Sequence, residues 1–425
     1  MGSAGPNEAD EDSSSRSSGV SLSLLGLPAL PLALAITTVG VLVPLTLSKL
    51  TASSLVIGMV VAGEGVLALI LPLWIGPLSD RTRTALGGRL PFVILGTLVC
   101  AAVLVALPFA ASLLLIAGLV LLFNLGYFVC YPAYRAMYPD LVPQSHFARS
   151  QGLQTLFREI GLALALTASP VLFVLWAPLP YIACAALLLA LSALFVVKLA
   201  KSEGAAALRR TGHGQQKARA WPSAIARRVL LANALWEFVL ASLKSFVVLY
   251  VVVGTGRSAV AASGLMAVVA VVAVIAAPIA GHLGDRFGTV RVMRIALVAY
   301  AVGMFLPCFT QSMFVLVPAM PLVGFGGAVA MTLPYALLSE HLGEQSHGAS
   351  AGWYEFSRGL GVSLGPVFTG AAIDLLKPWF ASTHGYAAMW LVQGLVLVAS
   401  IPLLPSASSP VEPALENGVD AMESQ

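Results

Sequence analysis

Ionisable side chains inside long apolar stretches are the first residues of this chain that could do chemistry. They are Glu64, Arg158, Glu237, Lys244 and Arg358. On insertion scales a charge at the centre of a bilayer costs about 2.5–3.5 kcal/mol, so each one needs a partner, water or a function. A carboxylate in such a place can take up and release a proton, and we therefore consider these residues for ion coupling.

The alternative is that packing, or an approach to the membrane surface, neutralises these charges. A functional role is favoured for Glu64, Arg158 and Glu237. For Glu355, Arg358 and Asp374 we favour the alternative, in which packing or the membrane surface neutralises the charge. Because Glu237 and Lys244 are two helical turns apart, they are expected to share one helix face without forming a tight pair.

A second group of side chains combines amides, aromatic rings and one guanidinium at helical spacing. Its members are Asn124, Tyr127, Tyr131 and Arg135 in one apolar stretch and Asn233 and Trp236 in another. Spacings of three and four residues place the first four on one helix face, interrupted by Pro132. Rings beside polar groups suit a polyhydroxylated ligand, whose apolar face stacks while its hydroxyls form hydrogen bonds. The alternative is an ordinary helix–helix interface.

A turn with the pattern Gly-x-x-x-Asp-Arg occurs twice. The two copies read GPLSDRTRTALGGR and GHLGDRFGTVR. Their corresponding residues are Gly76, Asp80, Arg81 and Arg89 in the first copy and Gly281, Asp285, Arg286 and Arg291 in the second. The difference in residue number between corresponding residues decreases slowly along the chain, from 205 at Gly76 and Gly281 to 200 at Arg158 and Arg358. The chain is therefore predicted to consist of two homologous halves.

The acid of each turn is a candidate gate residue. Asp80 and Asp285 are predicted to lie where an apolar helix ends. A carboxylate there can bond to an arginine of its own turn, or face the N-terminus of a helix in the other half, where unpaired N–H groups favour an anion. A contact across the halves, made when the cytoplasmic side is shut and broken when it opens, is the expected role.

Composition decides the class of protein that must position these residues. Hydrophobic residues are 58% of the 425 and charged residues 10%, with a mean hydropathy of +0.91, which excludes an ordinary soluble globule. Twelve apolar stretches are long enough to cross the membrane. They are 24–47, 55–78, 91–110, 113–137, 151–175, 179–199, 229–252, 258–282, 290–309, 313–338, 353–376 and 386–404.

The sequence therefore predicts an all-α membrane protein with twelve transmembrane helices in two pseudo-symmetric six-helix bundles. The predicted segments are a disordered tail over 1–20, bundles over 21–199 and 229–405, a linker over 200–228 and a second disordered tail over 406–425.

The distribution of lysine and arginine predicts the orientation. Fifteen of these residues fall in loops on one side of the predicted helices and three in loops on the other. By the positive-inside rule the richer side is cytoplasmic, which places both termini and the linker in the cytoplasm of a cell-membrane protein.

Several classes of function and partner are not expected. The cysteines fall inside apolar stretches without metal-type spacing, so neither a metal nor a disulfide is predicted. No Walker-type loop is present, so ATP is not expected to drive the protein directly. We expect no enzyme activity, no cofactor and no nucleic acid, and partners limited to the lipid bilayer, a small-molecule solute and a coupling proton or sodium ion, in a monomer.

The duplicated turns resemble the signature of the major facilitator superfamily in the loops joining helices 2–3 and 8–9. The resemblance extends over the chain from about residue 24 to residue 404. It implies two six-helix bundles around a central cavity, lined mainly by helices 1, 4, 7 and 10, and transport by alternating access.

Two shorter motifs look like the group of sucrose transporters and glycoside–pentoside–hexuronide cation symporters. They are Arg89-Leu90-Pro91-Phe92 and the sequence YRAMYPDL over 134–141. In sucrose transporters an arginine near the end of helix 4, matched by Arg135, follows an aspartate of proton coupling by eleven positions. Asn124 stands at that position and cannot take up a proton, so Glu64 or Glu237 would have to substitute for the aspartate.

Efflux antiporters offer a competing resemblance, since they carry the pattern Gly-x8-Gly-x3-Gly-Pro in helix 5. Here helix 5 has only Gly152 and Gly161, whereas helix 11 carries the whole pattern and ends it with Gly365-Pro366. In helix 11 the pattern indicates close packing of small residues. We therefore expect cation- or proton-coupled uptake of a sugar or glycoside, with proton-driven efflux of drugs or amphipathic metabolites as one alternative and a non-transporting receptor or assembly factor as another.

Overall fold

The computed structural model describes residues 21–82, 84, 88–142, 146–200, 223–340 and 347–405. The tails predicted over 1–20 and 406–425, and most of the predicted linker, lie outside these residues. Across the described part the regular structure is helical, without a strand.

In the described part of the chain, twelve helical elements coincide in turn with the predicted apolar stretches. In chain order they are α1 (Leu22–Gly26 and Ala29–Leu47), α2 (Ser54–Arg81), α3 (Leu90–Ala106), α4 (Leu113–Ala136), α5 (Phe147–Leu175), α6 (Leu179–Ala200), α7 (Ala224–Leu249), α8 (Ala259–Phe287), α9 (Thr289–Phe309), α10 (Met313–Glu340), α11 (His347–Leu375) and α12 (Ala388–Ser400). The predicted fold class is confirmed.

Ten of these elements are long and apolar enough to cross a membrane when only the described residues are considered. The exceptions are α11, whose charges and many glycine and serine residues lower its hydropathy, and α12, which is short. Leu114, Phe309 and Phe314 are more than four-fifths exposed. Large apolar side chains in that position are suited to contact with lipid.

Local sequence explains several helix ends. The hydroxyl oxygens of Ser53, Ser112 and Ser223 each accept a backbone N–H three residues later, which caps α2, α4 and α7. Pro28 has no N–H to donate, and α1 is interrupted there. Gly288, with φ of 88°, separates α8 from α9 in a backbone conformation that favours glycine.

Contacts between Cα atoms divide the chain into two compact units. The first unit contains Met1–Gln215 and Gly256–Ala267, and the second contains Gln216–Thr255 and Val268–Gln425. The first part of α8 thus groups with the first unit.

The same close helix pair recurs inside each unit. A Cβ atom on Gly161 of α5 would collide with the carbonyl oxygen of Leu30 in α1, and one on Gly361 of α11 would collide with the carbonyl oxygen of Ala234 in α7. Because these two glycines have no side chain, the helix backbones can touch in both the α1–α5 pair and the α7–α11 pair.

Two hydrogen bonds between buried hydroxyl groups also occupy corresponding positions in the two units. Thr38 of α1 bonds to Ser169 of α5 with 2.8 Å between oxygens, and Ser242 of α7 bonds to Thr369 of α11 with 2.9 Å. The offsets are 204 residues between α1 and α7 and 200 between α5 and α11, for both the hydroxyl pairs and the glycine contacts. This agreement supports the interpretation that the two halves arose from one ancestral unit.

The glycine contact in the first unit gives a testable prediction. Gly161→Ala is expected to destabilise the protein by about 1–3 kcal/mol, because the added methyl group overpacks the interface with Leu30. The matched control is Gly152→Ala on the same helix, where an added Cβ meets nothing within 4 Å. That control is expected to be neutral or to gain up to about 1 kcal/mol from helix propensity. Thermal unfolding in detergent measures both, and equal melting temperatures for the two variants would contradict the close-contact interpretation.

Candidate functional site

A cleft between α1, α2 and α4 in the first unit contains an acid and an amide. Glu64 of α2 and Asn124 of α4 line it. The other lining residues are Val39, Gly40, Val43, Val61 and Val120. One carboxylate and one amide therefore lie in walls that are otherwise apolar.

The lengths of the two helices place these polar groups at membrane depth. Glu64 is ten residues into α2 and Asn124 eleven residues into α4. At 1.5 Å per residue each lies about 15 Å from the start of its helix, which is half the thickness of the hydrocarbon layer. Asn124 is buried and Glu64 half-buried. This is the depth at which transporters bind their solutes.

The predicted stripe on α4 forms a continuous column beyond the cleft. The rings of Tyr127 and Tyr131 stack with centroids 5.3 Å apart and planes 18° apart. The guanidinium of Arg135 lies 5.8 Å from the centroid of the Tyr131 ring, a cation–π contact. The structure thus brings Tyr127, Tyr131 and Arg135 together in one column, and Asn124 stands three residues before Tyr127 on the same helix.

The end of α4 is fixed to the interruption in α1. The hydroxyls of Tyr134 and Tyr138 both donate to the carbonyl oxygen of Leu25, at 2.6 and 2.8 Å. Their oxygens are 2.8 Å apart, and both side chains are fully buried. The Leu25 carbonyl precedes Pro28, which interrupts α1, so the two hydroxyls supply it with partners.

Arg89, a predicted gate residue, contributes to the same anchoring. Its Nη1 donates to the carbonyl oxygen of Ala136, the last residue of α4. A cation at the C-terminus of a helix is favoured by the partial negative charge there. Arg89 therefore links the start of α3 to the end of α4.

The two predicted site residues on α7 lie in the packed interior of the second unit. Asn233 is buried, and its Nδ2 donates to Ser357 Oγ of α11 at 2.8 Å. Trp236 is fully buried, and its Nε1 donates to Ser400 Oγ of α12 at 2.9 Å. Both side chains hold α7 to its neighbours in this conformation, and their contact with a solute stays a prediction.

Each of the two corresponding arginines pairs with a carboxylate on its own helix. Arg158 Nη2 lies 2.8 Å from Glu159 Oε1 in α5, and Arg358 Nε lies 3.0 Å from Glu355 Oε2 in α11. These pairs compensate charges that would otherwise be costly inside a membrane. The remaining two predicted charges, Glu237 and Lys244, are half-buried on α7.

The second copy of the duplicated turn is exposed. Asp285, Arg286 and Arg291 lie on either side of the turn at Gly288. The Arg286 guanidinium lies 5.2 Å from the centroid of the Phe287 ring. These three charged side chains are therefore accessible at the junction of α8 and α9.

The first copy is described in part. Gly76 and Asp80 lie in the backbone of α2, and the side chain of Asp80 falls outside the described part of the structure. Arg81, in the last turn of α2, is exposed. Gly281 holds the corresponding place in α8, where a Cβ would meet nothing within 4 Å.

The sequence analysis expected helix 1 to line a cavity but did not identify which residues of α1 do so. Val39 and Val43 carry nothing in their identity that separates a cleft-lining valine from one that faces lipid. The position of Gly40 between them was the available indication, because a residue without a side chain leaves room beside a helix.

A comparison with models of protein families identifies one family. A family model described as Major Facilitator Superfamily matches residues 27–274 and 247–421. A search of curated proteins finds no significant match.

Two solved structures share the fold at low sequence identity. A bacterial homologue of the human lysosomal transporter Spinster, in an inward-facing and occupied conformation, has a TM-score of 0.75 and 15% identity, covering 90% of this chain and 95% of that chain. The nucleoside transporter NupG has a TM-score of 0.68 and 16% identity, covering 90% of this chain and 98% of that chain.

The double contact on the Leu25 carbonyl gives a testable prediction. Tyr134→Phe and Tyr138→Phe are each expected to cost about 1 kcal/mol or less, because one hydroxyl still satisfies the carbonyl. The double variant is expected to cost at least about 1 kcal/mol more than the sum, since the buried acceptor then loses both partners. Thermal unfolding of the four proteins gives this coupling energy. Strict additivity would show that the two hydroxyls do not share one acceptor.

Proposed function

The chain belongs to the major facilitator superfamily, and from this premise we propose that it is a cation- or proton-coupled importer of a sugar or glycoside. The family supports a membrane transporter of a small solute that works by alternating access. The family does not determine the solute, the coupling ion or the direction of transport. These three points are our proposal. The resemblance to the sucrose-transporter group belongs to the same proposal.

One observation carries the proposal: Glu64 and Asn124 share a cleft at membrane depth. A carboxylate and an amide can accept and donate the hydrogen bonds of sugar hydroxyls, and valine walls can cover the apolar face of a sugar ring. The polar and apolar groups of this cleft therefore match those of a polyhydroxylated solute.

The column on α4 supports the same assignment. Tyr127, Tyr131 and Arg135 continue the cleft with phenol hydroxyls, ring surfaces and a guanidinium on one helix face. These groups offer the ring and hydroxyl contacts that polyhydroxylated solutes need. A nucleoside, which is the solute named for one of the structures of similar fold, would use the same kinds of contact and belongs in any test of substrate.

Glu64 is the proposed coupling acid. It is the one carboxylate among the residues that line the cleft, and Asn124 does not titrate. A carboxylate in an otherwise apolar cleft is a group to which a proton or a cation can bind. Glu237 is the alternative acid. An added Cβ on Gly361 would lie 2.7 Å from its Cβ, which places Glu237 against α11 in the second unit.

Packing accounts for the glycine pattern that resembled efflux antiporters. Cβ atoms on Gly361 and Gly365 of α11 would collide with the carbonyl oxygens of Ala234 and Phe238 in α7. The pattern therefore has a structural role in α11, and it gives no support to export. This favours uptake in the proposal.

The charged residues of the duplicated turns are the proposed cytoplasmic gate. Asp285, Arg286 and Arg291 are exposed at the α8–α9 junction, and Arg81 is exposed at the end of α2. Accessible charges at helix ends can form and break contacts at little cost, unlike charges buried in a core. The proposed topology places this gate and both termini on the cytoplasmic side of the cell membrane, in a monomer.

A thermal-shift screen tests the solute class. The purified protein is heated with single sugars, glycosides, nucleosides and common efflux substrates. Sugars or glycosides are expected to raise the melting temperature, since a ligand that binds only the folded state stabilises it. A shift confined to nucleosides, or to amphipathic drugs, would replace the proposed solute class.

The substitution Glu64→Gln tests the coupling role. In proteoliposomes the variant is expected to keep exchange of labelled solute down its gradient and to lose at least about tenfold of uptake driven by a proton or sodium gradient. The reason is that glutamine keeps the shape of the side chain without its titration. Asp374→Asn, which removes a carboxylate near the end of α11, is the control and is expected to keep driven uptake. Driven uptake retained in Glu64→Gln would move the coupling role to another acid.

A further inference from the structure

We propose that Arg228 and Arg294, at one end of the second unit, form a binding site for the headgroup of an anionic phospholipid. The site lies outside the cleft and outside the duplicated turns. Its function would be to tie the second unit to the lipid of one membrane surface.

Both guanidinium groups are held at the end of α12. Arg228 Nη2 donates to the carbonyl oxygen of Pro402 at 2.9 Å, and Arg294 Nη2 donates to the carbonyl oxygen of Pro405 at 2.8 Å. The two prolines are three residues apart, which is at most about 10 Å along the chain. The two arginines, from α7 and α9, are therefore hydrogen-bonded to the same short chain segment.

The positive charge of this region is not neutralised within the described part of the chain. Arg227, Arg228 and Arg294 form no ion pair with a carboxylate of the described residues. The carbonyl groups of Pro402 and Pro405 accept hydrogen bonds but carry no compensating charge. An arginine has five N–H donors in a planar fork that matches phosphate oxygens. Each guanidinium thus has donors left for a phosphate group.

The helices place the two arginines at the level of a membrane surface. Arg228 is four residues into α7 and Arg294 five residues into α9. At 1.5 Å per residue both lie within about 8 Å of the helix start. A basic residue at this depth reaches the phosphate layer of the bilayer, and basic pockets between transmembrane helices bind anionic headgroups.

Exposed apolar side chains lie directly beyond each arginine on the same helix face. Leu231, three residues after Arg228, is 53% exposed, and Val298, four residues after Arg294, is 51% exposed. Residues three and four apart share one face of a helix. A cation followed by an exposed apolar side chain matches a phospholipid, with its phosphate on the arginine and its acyl chains along the helix.

The chain itself supplies a competing anion. The segment after Pro405 contains four acidic residues and no basic one: Glu412, Glu416, Asp420 and Glu423. A carboxylate of this tail could bond to the same arginines. The exposed leucine and valine favour the lipid, because the tail acids offer no acyl chain to cover them.

Melting temperatures of the full chain in phosphatidylglycerol and in phosphatidylcholine test the proposal. In detergent, added phosphatidylglycerol is expected to raise the melting temperature by about 3 °C over phosphatidylcholine. Arg228→Gln and Arg294→Gln are each expected to lose about half of this difference, and the double variant all of it. Arg228→Lys with Arg294→Lys keeps the charge and is expected to retain most of it. Lys377→Gln, at the α11–α12 loop, is the control that keeps it entirely.

The phosphatidylcholine measurement isolates any effect of the substitutions on folding, because the proposal concerns only the difference between the two lipids. If the double variant does not fold, the single variants and lipid mass spectrometry of the purified proteins carry the test, with less phosphatidylglycerol retained per protein than in the wild type. An equal lipid difference in wild type and variants would overturn the proposal. So would a phosphatidylglycerol effect that appears only after residues 406–425 are removed, which would assign the arginines to the tail.

Discussion

Backbone contact between paired helices is the constraint on which the rest of each unit depends. Gly161 brings α5 against the carbonyl of Leu30, and Gly361 does the same for α11 and Ala234. Contact at this distance fixes the rotation of α1 and α7 about their axes, because only one face of each can meet a glycine. The face of α1 with Val39, Gly40 and Val43 is then left to line the cleft. Packing on one side of a helix thus determines which residues are available for chemistry on the other.

The two units keep the same scaffold while their polar residues differ. The offsets are 204 residues for α1, 205 for α2 and 202 for α4, the last from Pro132 and Pro334 (334 − 132). By these offsets the second unit has Lys244 in place of Gly40, Val269 in place of Glu64 and Gly326 in place of Asn124. The hydroxyl pairs and glycine contacts are retained. The scaffold must keep its packing to fold, whereas cleft residues are free to change. Glu64 and Asn124 therefore have no acidic or amide counterparts at the corresponding positions of the second unit, whose acid Glu237 stands at a different place.

The helices, the internal repeat and the polar and aromatic stripe on α4 could be predicted from the sequence, because each of them has a periodic pattern. The orientation of α7 could not. Asn233 and Trp236 stand in a helix that is apolar on nearly every side, so spacing alone did not show that they face α11 and α12. The interruption of α1 at Pro28 was also missed, since the flanking residues are uniformly apolar. In a membrane the contrast between inner and outer faces is weak, and partners of polar groups are visible only in three dimensions.

The cleft differs from a paired-acid site in how its charge can be compensated. With two acids in one place, each raises the pKa of the other and one proton can be shared between them. With Asn124 opposite Glu64, the amide can satisfy hydrogen bonds in either state of the acid but contributes no charge. In the proposed coupling the proton or cation therefore binds at Glu64, because it is the one carboxylate among the residues that line the cleft.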